Sequence, residues 1–497
     1  MASHLFRHAR LALAVAFVVV APVWKARAQA ARVQRRPNFV VILADDLGYG
    51  DLGVFGHRSI RTPHIDRMAA EGVRLTEYYS GAPSCTPARV ALLTGRYARR
   101  SGLTRVLVPK EKWGLPDSEI TLAEVLRQRG YATGIIGKWH LGGRKPFRPR
   151  RHGFDSFFGL LYSNDMTLLP LVKWPRLELL RNDKTIESPA RVKTLTRRYT
   201  EEAVRFISDH KQQPFFLYLS HTMPHIPLRP SDAFKGRSAH GVYGDVVEEI
   251  DWSTGEILKA IASNGLDETT LVIFTSDNGP WLGGVSRGQT PGPSPRKKTR
   301  GSTGVLRGAK GTTWEGGVRV PFIARWPGTI AAGLVRKGIA AAMDVFTTII
   351  EESGGEVPAD RAIDGHNIMP FLQGRAESPR KDFYYYFRDK IFAVRSGRWK
   401  VHFLKRNLGP KGKPRDAVRC QPPELYDLSQ DPGERSNVAA EHPEIVERLA
   451  KAAAAFHSGI QPVLHLPPAS SSVFSGLVTQ APKGQRKQEQ KSSQKVK

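Results

Sequence analysis

Two short polar pairs follow apolar runs: Asn38 to Leu43 runs into Ala44-Asp45-Asp46, and Thr270 to Phe274 runs into Thr275-Ser276-Asp277-Asn278-Gly279. Brought together, they offer three carboxylates and an amide oxygen, a collection of like charge that is costly unless a cation neutralises it. A donor set made only of oxygen suits a hard ion, Ca2+ ahead of Mg2+, rather than zinc. Each pair taken alone serves equally well as the cap of a helix or turn. The recurrence of the pattern on two apolar runs is what favours a metal.

A third candidate is Ser84-Cys85-Thr86-Pro87-Ala88-Arg89, which precedes the apolar stretch Val90-Ala91-Leu92-Leu93. This reads as a helix start, with Pro87 tolerated in the first turn. A cysteine there faces the positive end of the helix dipole, which favours a thiolate or an anion bound beside it. Arg89, four residues on, shares its helical face. The alternative is a buried structural cysteine. Two more apolar runs end in groups able to hold charge or move protons: Thr133-Gly134-Ile135-Ile136 leads to Gly137-Lys138-Trp139-His140, and Phe215 to Leu219 leads to Ser220-His221. Lys138 and His140, two apart, point the same way in an extended chain.

These runs are continuously apolar rather than alternating, as expected of strands buried on both faces. Helical patterns fall between them, notably Thr121 to Arg127, ending before Gly130, and Tyr199 to His210. The alternation predicts an α/β fold with a large, mostly parallel central sheet flanked by helices on both faces. Ligands of such sheets bind at the carboxyl ends of strands, so the four strand ends define one candidate site. From about Arg380 the texture changes to short aromatic and β-branched segments such as Phe383-Tyr384-Tyr385-Tyr386-Phe387 and Trp399-Lys400-Val401-His402-Phe403. They predict a smaller C-terminal domain of antiparallel sheet closed by a helix near Pro443 to Phe456.

Cys85-Thr86-Pro87-Ala88-Arg89 resembles the Cys-x-Pro-x-Arg signature of formylglycine-dependent sulfatases of the arylsulfatase and N-acetylgalactosamine-6-sulfatase kind, within the alkaline phosphatase superfamily. Asp45-Asp46-Leu47-Gly48, Gly137-Lys138-Trp139-His140-Leu141-Gly142, His221-Thr222-Met223-Pro224-His225, Asp277-Asn278-Gly279 and Lys310-Gly311-Thr312-Thr313-Trp314-Glu315-Gly316-Gly317 resemble further elements of that family, in family order. The resemblance spans about residues 36 to 450. It implies that Cys85 is the precursor of formylglycine, made by a maturation enzyme, and that the hydrated aldehyde attacks sulfur. It also implies that Asp45, Asp46, Asp277 and Asn278 hold calcium, that Arg89 orients the aldehyde hydrate, and that Lys138, His140, His221 and Lys310 surround it and the sulfate. His140 matches the group that takes the proton when sulfate is expelled; His221 or Lys310 would protonate the leaving alcohol. Ser163 and His225 are implied substrate contacts. The substrate class is then a sulfated carbohydrate or an aryl sulfate.

Composition sets the remaining bounds. With 497 residues and 40% hydrophobic content the chain is neither disordered nor collagen-like. Two cysteines, Cys85 and Cys420, supply no disulfide framework and rule out a four-cysteine zinc site. A formal charge of +29 biases the surface toward anionic partners, yet no nucleic-acid-binding motif accompanies it. Arg7 and Arg10, the apolar run Leu11 to Ala21 and the small residues at Ala28-Gln29-Ala30 read as an export signal too short to be a stable membrane span. The layout expected is a signal over 1–30, a catalytic domain over 31–379, the antiparallel subdomain over 380–465 and a disordered basic tail over 466–497, in a protein exported to the periplasm or the extracellular space. The basic stretch Gly288 to Arg307, with Arg296, Lys297, Lys298 and Arg300, reads as a long loop. Two other functions compete. A phosphatase or phosphodiesterase with two transition metals would want extra histidine ligands, one of them beside the distal Asp, where Asn278 stands. A catalytically idle polyanion-binding envelope protein is supported only by the charge.

Overall fold

The computed structural model describes residues 36–166, 174–283 and 300–460. The export signal, the basic tail and, within the basic loop, Arg296, Lys297 and Lys298 lie outside the described residues.

Strands are numbered along the chain: β1 Asn38–Ala44, β2 Val73–Leu75, β3 Tyr78–Tyr79, β4 Ala132–Lys138, β5 Ser156–Leu160, β6 Leu179–Arg181, β7 Lys184–Glu187 and β8 Phe215–Ser220. They continue with β9 Thr270–Ser276, β10 Phe322–Arg325, β11 Leu334–Arg336, β12 Ala340–Ala341, β13 Asp382–Phe387, β14 Lys390–Ser396, β15 Trp399–Lys405 and β16 Val418–Asp427. Ten of them form one sheet in the order β11-β2-β10-β9-β1-β8-β4-β5-β6-β7. Its centre, β9-β1-β8-β4-β5, is parallel throughout. The sheet is mostly parallel, as expected, and its antiparallel members lie at the flanks: β10 runs antiparallel to both β9 and β2, and β6 and β7 add antiparallel strands at the other edge. A two-residue connection can only join antiparallel strands; the chain turns from β6 to β7 at Asn182, whose φ is 54°.

Both faces of the parallel centre are buried, which explains the unbroken apolarity. Along β1, Phe39, Val41 and Leu43 enter one core with Val90, Leu122 and Val345, while Val40 and Ile42 enter the other with Met68, Ala203 and Ile250. The first core is roofed by the helices Cys85–Thr94, Leu122–Gln128 and Ala342–Glu352, the second by Pro63–Ala70, Leu195–Asp209 and Val242–Ser263. The register β9-β1-β8-β4 sets four strand ends side by side, with Leu43 opposite Ser220 and Thr275, and Gly137 opposite Ser220.

The C-terminal sheet β13-β14-β15-β16 is antiparallel, and Leu449 and Ala453 of the helix Pro443–Ser458 pack on its Val394, Val401 and Leu425. It is locked to the catalytic part by a buried charge cluster. Lys400 Nζ on β15 donates to Glu315 Oε1 at 2.9 Å and to the Thr313 carbonyl at 2.9 Å, and lies 2.8 Å from Glu434 Oε1. Burial pushes the Glu315 carboxyl up, but Lys400, Arg395 and Arg319 outweigh it and hold the group down at about 2. Lys400→Met leaves two buried carboxylates short of their shared cation, so we expect a loss of about 3–5 kcal/mol. Denaturant unfolding followed at the C-terminal aromatics measures it, and an unchanged midpoint would contradict this account of the interface.

Candidate active site

Two successive side chains of an extended strand diverge, yet Asp45 and Asp46 reach the same hollow. The chain leaves β1 with Asp46 in the left-handed region, φ 68°, and its N–H donates to Asp277 Oδ1 at 3.1 Å across the neighbouring strand end. One ligand atom each from Asp45, Asp46, Cys85 and His225 then lie within 4.8 Å of one another, all four residues buried.

Cys85 is the first residue of a helix whose every residue is buried. Arg89, one turn on, threads its guanidinium under the site. Nε and Nη2 donate to Asp277 Oδ2 at 3.1 and 2.8 Å, Nη1 donates to Ser220 Oγ at 2.6 Å and to the Lys138 carbonyl at 3.0 Å, and Nη2 lies 3.6 Å from Asp45. Lys138 Nζ donates to Asp45 Oδ2 at 2.6 Å, and Lys310 Nζ donates to Asp46 Oδ1 at 2.6 Å and to Cys85 Sγ at 3.2 Å. Burial works against ionising Asp45, but Lys138, His225 and Arg89 outweigh it and hold that carboxyl below the usual range. Burial lowers the Lys310 ammonium less than Asp46, Cys85 and Asp45 raise it, so it stays charged. The helix dipole does not make Cys85 a thiolate: burial pushes the thiol up to about 12 against the pull of Lys138 and Lys310. Unmodified, this sulfur is a protonated and poor nucleophile at neutral pH.

The histidines separate. His140 does not follow Lys138 in extended chain; its φ is 64°, and its Nε2 meets the Leu107 carbonyl at 3.0 Å. A carbonyl only accepts, so Nε2 carries the proton and the buried Nδ1, which has no partner, keeps a lone pair. Burial, then Lys138 and Arg89, lower the His140 pKa well below the ordinary value, so the ring is a neutral base. His225 Nδ1 donates to its neighbour's carbonyl, Ile226, at 2.6 Å and lies 3.5 Å from Ser163 Oγ, leaving Nε2 turned toward Asp46 Oδ2 at 3.7 Å. His221 is not brought to the cluster. Its Nε2 lies 3.4 Å from Ser253 Oγ on the helix Val242–Ser263, within the core, and burial alone lowers its pKa to about 3. The reason is strand alternation: Ser220 Oγ faces Arg89 and the Lys138 carbonyl, so the next side chain faces the helix layer. Two partners escape sequence reasoning, Ser220 and the Leu107 carbonyl. Ser220 is signalled only by its place at a strand end, and a backbone carbonyl has no sequence signal.

Three carboxylates, Asp45, Asp46 and Asp277, thus face three fixed cations, Arg89, Lys138 and Lys310. Asp46 Oδ2 and Asn278 Oδ1 are nonetheless buried without a hydrogen-bond partner among the described residues. Asn278 Nδ2 donates to Asp46 Oδ1 at 2.7 Å and to the Gly279 carbonyl at 2.9 Å, and with a cation in the hollow a flip of that amide would turn its oxygen to the ion. Unsatisfied buried oxygens beside an all-oxygen set fit a hard divalent cation.

A sulfatase family model matches residues 37–354, and a model of the C-terminal region of aryl-sulfatase matches residues 378–473. Human arylsulfatase A is 40% identical over 458 residues, covering 84% of this chain and 87% of that one. Mouse steryl-sulfatase is 36% identical over 533 residues, covering 88% and 84%. The crystal structure of PsFucS1 sulfatase from Pseudoalteromonas sp. superimposes with a TM-score of 0.78 at 32% identity, covering 88% of this chain and 93% of that one. Strand ends that gather carboxylates and cations around a buried, unreactive thiol, on a chain this similar end to end, leave one conclusion: the protein belongs to the sulfatase family and is a sulfuric ester hydrolase.

Proposed function

We propose that the protein hydrolyses sulfate esters of carbohydrates or aryl alcohols using a formylglycine made from Cys85 by a maturation enzyme, together with calcium held by Asp45, Asp46, Asp277 and Asn278. The observation that carries this reading is the convergence of Cys85 on Asp45 and Asp46, beside an Asp46 Oδ2 without a hydrogen-bond partner among the described residues. Formylglycine supplies an electrophilic aldehyde whose hydrate is a nucleophile that the thiol could not be, and calcium supplies charge stabilisation on sulfate oxygens.

The chain's own residues divide the rest. Lys138 and Lys310 hold and neutralise the sulfate oxygens, and Arg89 fixes the geometry at position 85 while pairing Asp277. His140 accepts a proton at Nδ1. His225, rather than His221, gives the proton to the leaving alcohol as the imidazolium, Nδ1–H staying on the Ile226 carbonyl and the second proton leaving from Nε2, which faces the hollow, while Lys310 holds its own proton too tightly. Ser163 steadies His225 and contacts substrate. The features of residues 1–30 support export to the periplasm or extracellular space, and among the described residues no helix is long and apolar enough to cross a membrane.

The test is elemental analysis of the purified protein with a panel of sulfated sugars, polysaccharides and aryl sulfates. Stoichiometric calcium and sulfate release are expected. Stoichiometric zinc without an alkaline-earth metal, or salt-sensitive polyanion binding without sulfate release, would overturn the reading.

The two histidines give a sharper result. Replacing His225 by glutamine should cost roughly 10²- to 10⁴-fold in turnover, the range of a lost general acid, while His221→Gln should keep turnover within about tenfold. Below pH 6.5 the unfolded chain protonates position 221 and the fold does not, so His221 makes stability fall between pH 6.5 and about 3, by about 1.4 kcal/mol per pH unit. His221→Gln should flatten that slope in urea titrations run across the window. A turnover loss at His221 matching that at His225 would restore His221 to the chemistry.

A further inference from the structure

Beside Ser163 lies a second cavity of about 190 Å³. Ser163 is the shared wall: its Oγ lies 3.5 Å from His225 Nδ1 on one side, and it lines the cavity on the other. Tyr162, also in the wall, sets its ring edge-on to His140 with centroids 6.2 Å apart. Among the described residues the charged lining is Arg144, Arg148, Arg176 and one carboxylate, Glu178.

The arginines are not equivalent. Arg148 is held: Nε donates to the Gly143 carbonyl at 3.2 Å, Nη1 donates to the Asp183 carbonyl at 3.2 Å and lies 3.7 Å from Asp183 Oδ1. The side chains of Arg144 and Arg176 are exposed and have no hydrogen-bond or ion-pair partner among the described residues. Two guanidinium groups without a partner among the described residues line one concave wall and turn a positive field on whatever enters. A planar guanidinium matches a carboxylate or sulfate through paired N–H donors. The cavity is smaller than the roughly 300 Å³ at which pockets begin to enclose a drug-sized ligand, and so accommodates one ring-sized unit with its substituent.

We propose that this cavity receives the alcohol part of the substrate and that Arg144 and Arg176 recognise a second anionic group on it, a carboxylate or a further sulfate, beside the ester that is cleaved. The proposal rests on the sulfatase reading above and names its substrate class as polyanionic. A tyrosine wall for a ring face and unpaired guanidinium groups for an anion are the two halves of such a subsite.

The test compares phenyl sulfate with a carboxylated phenyl sulfate, and a monosulfated with a disulfated disaccharide, in the parent protein and in the Arg144→Gln, Arg176→Gln double variant. The parent should prefer the dianionic member of each pair. The variant should lose kcat/KM for the dianionic members by about 10- to 100-fold more than for the monoanionic ones, the range of one or two charge-assisted hydrogen bonds. Selectivity lost in only one pair distinguishes carboxylate from sulfate as the recognised group. Equal losses in both members of both pairs, or no loss in any, would overturn the subsite. Failure of the parent to release sulfate from every ester would count against the sulfatase reading instead. Calorimetric binding of the same esters to Cys85→Ala, with and without the arginine substitutions, then decides the subsite independently of turnover. About tenfold weaker binding confined to the dianionic ester supports it, and unchanged binding refutes it.

Discussion

Cys85→Ala should lower sulfate release by on the order of 10⁴-fold or more, the scale seen when a nucleophile is removed from an otherwise intact site. The fold should survive, because the change deletes one sulfur from the start of a buried helix and costs about 1 kcal/mol of packing. The size of the activity loss follows from the sulfur's surroundings. A thiol held at about 12 by burial contributes almost no thiolate at neutral pH, so thiol chemistry is not what the position is built for. Conversion to the aldehyde should leave the peptide carrying residue 85 roughly 18 Da lighter than its unmodified form, visible by mass spectrometry in active preparations and absent when the maturation enzyme is withheld. Cys420, buried on β16 in the C-terminal sheet, should be dispensable. Full sulfatase activity in Cys85→Ala would end the proposal.

Asp277→Ala should abolish turnover and destabilise the protein together. Asp277 Oδ2 takes two donors from a fully buried guanidinium and Oδ1 takes the Asp46 N–H, so alanine strands Arg89 and loosens the turn that aims Asp46. Leaving a buried charge without its partner costs about 3–5 kcal/mol. Asp277→Asn keeps the shape and should cost less stability but nearly as much activity, since it removes charge from both the cation site and Arg89. Calcium provides the independent readout. At 100 times its dissociation constant, an ion bound only by the folded chain adds about 2.7 kcal/mol, so calcium should raise the Tm of the parent protein and chelation should lower it, with neither effect in Asp277→Ala. A parent protein indifferent to calcium and chelator would remove the metal from the site.

Local pattern carried much of this protein. Unbroken apolar runs such as Asn38 to Leu43 and Thr270 to Phe274 announced strands buried on both faces, and the polar residues after them announced where a site would lie. The sheet's antiparallel flanks were less legible, because β6, β7 and β10 are short strands whose direction depends on the connections and neighbours around them. Within the site, residue type and order marked Cys85, Arg89, Lys138 and the acidic pairs, whose chemistry is scarce enough to read directly. Which of them face one another was decided only in three dimensions. Asp46 and His140 take left-handed backbone conformations, and His221 and His225 part company at the end of β8, one buried against Ser253 and the other turned toward Asp46. Sequence spacing predicts side-chain direction only while the backbone stays regular. At the end of a strand the direction is set by cross-strand hydrogen bonds such as that from the Asp46 N–H to Asp277, made by residues more than two hundred positions apart.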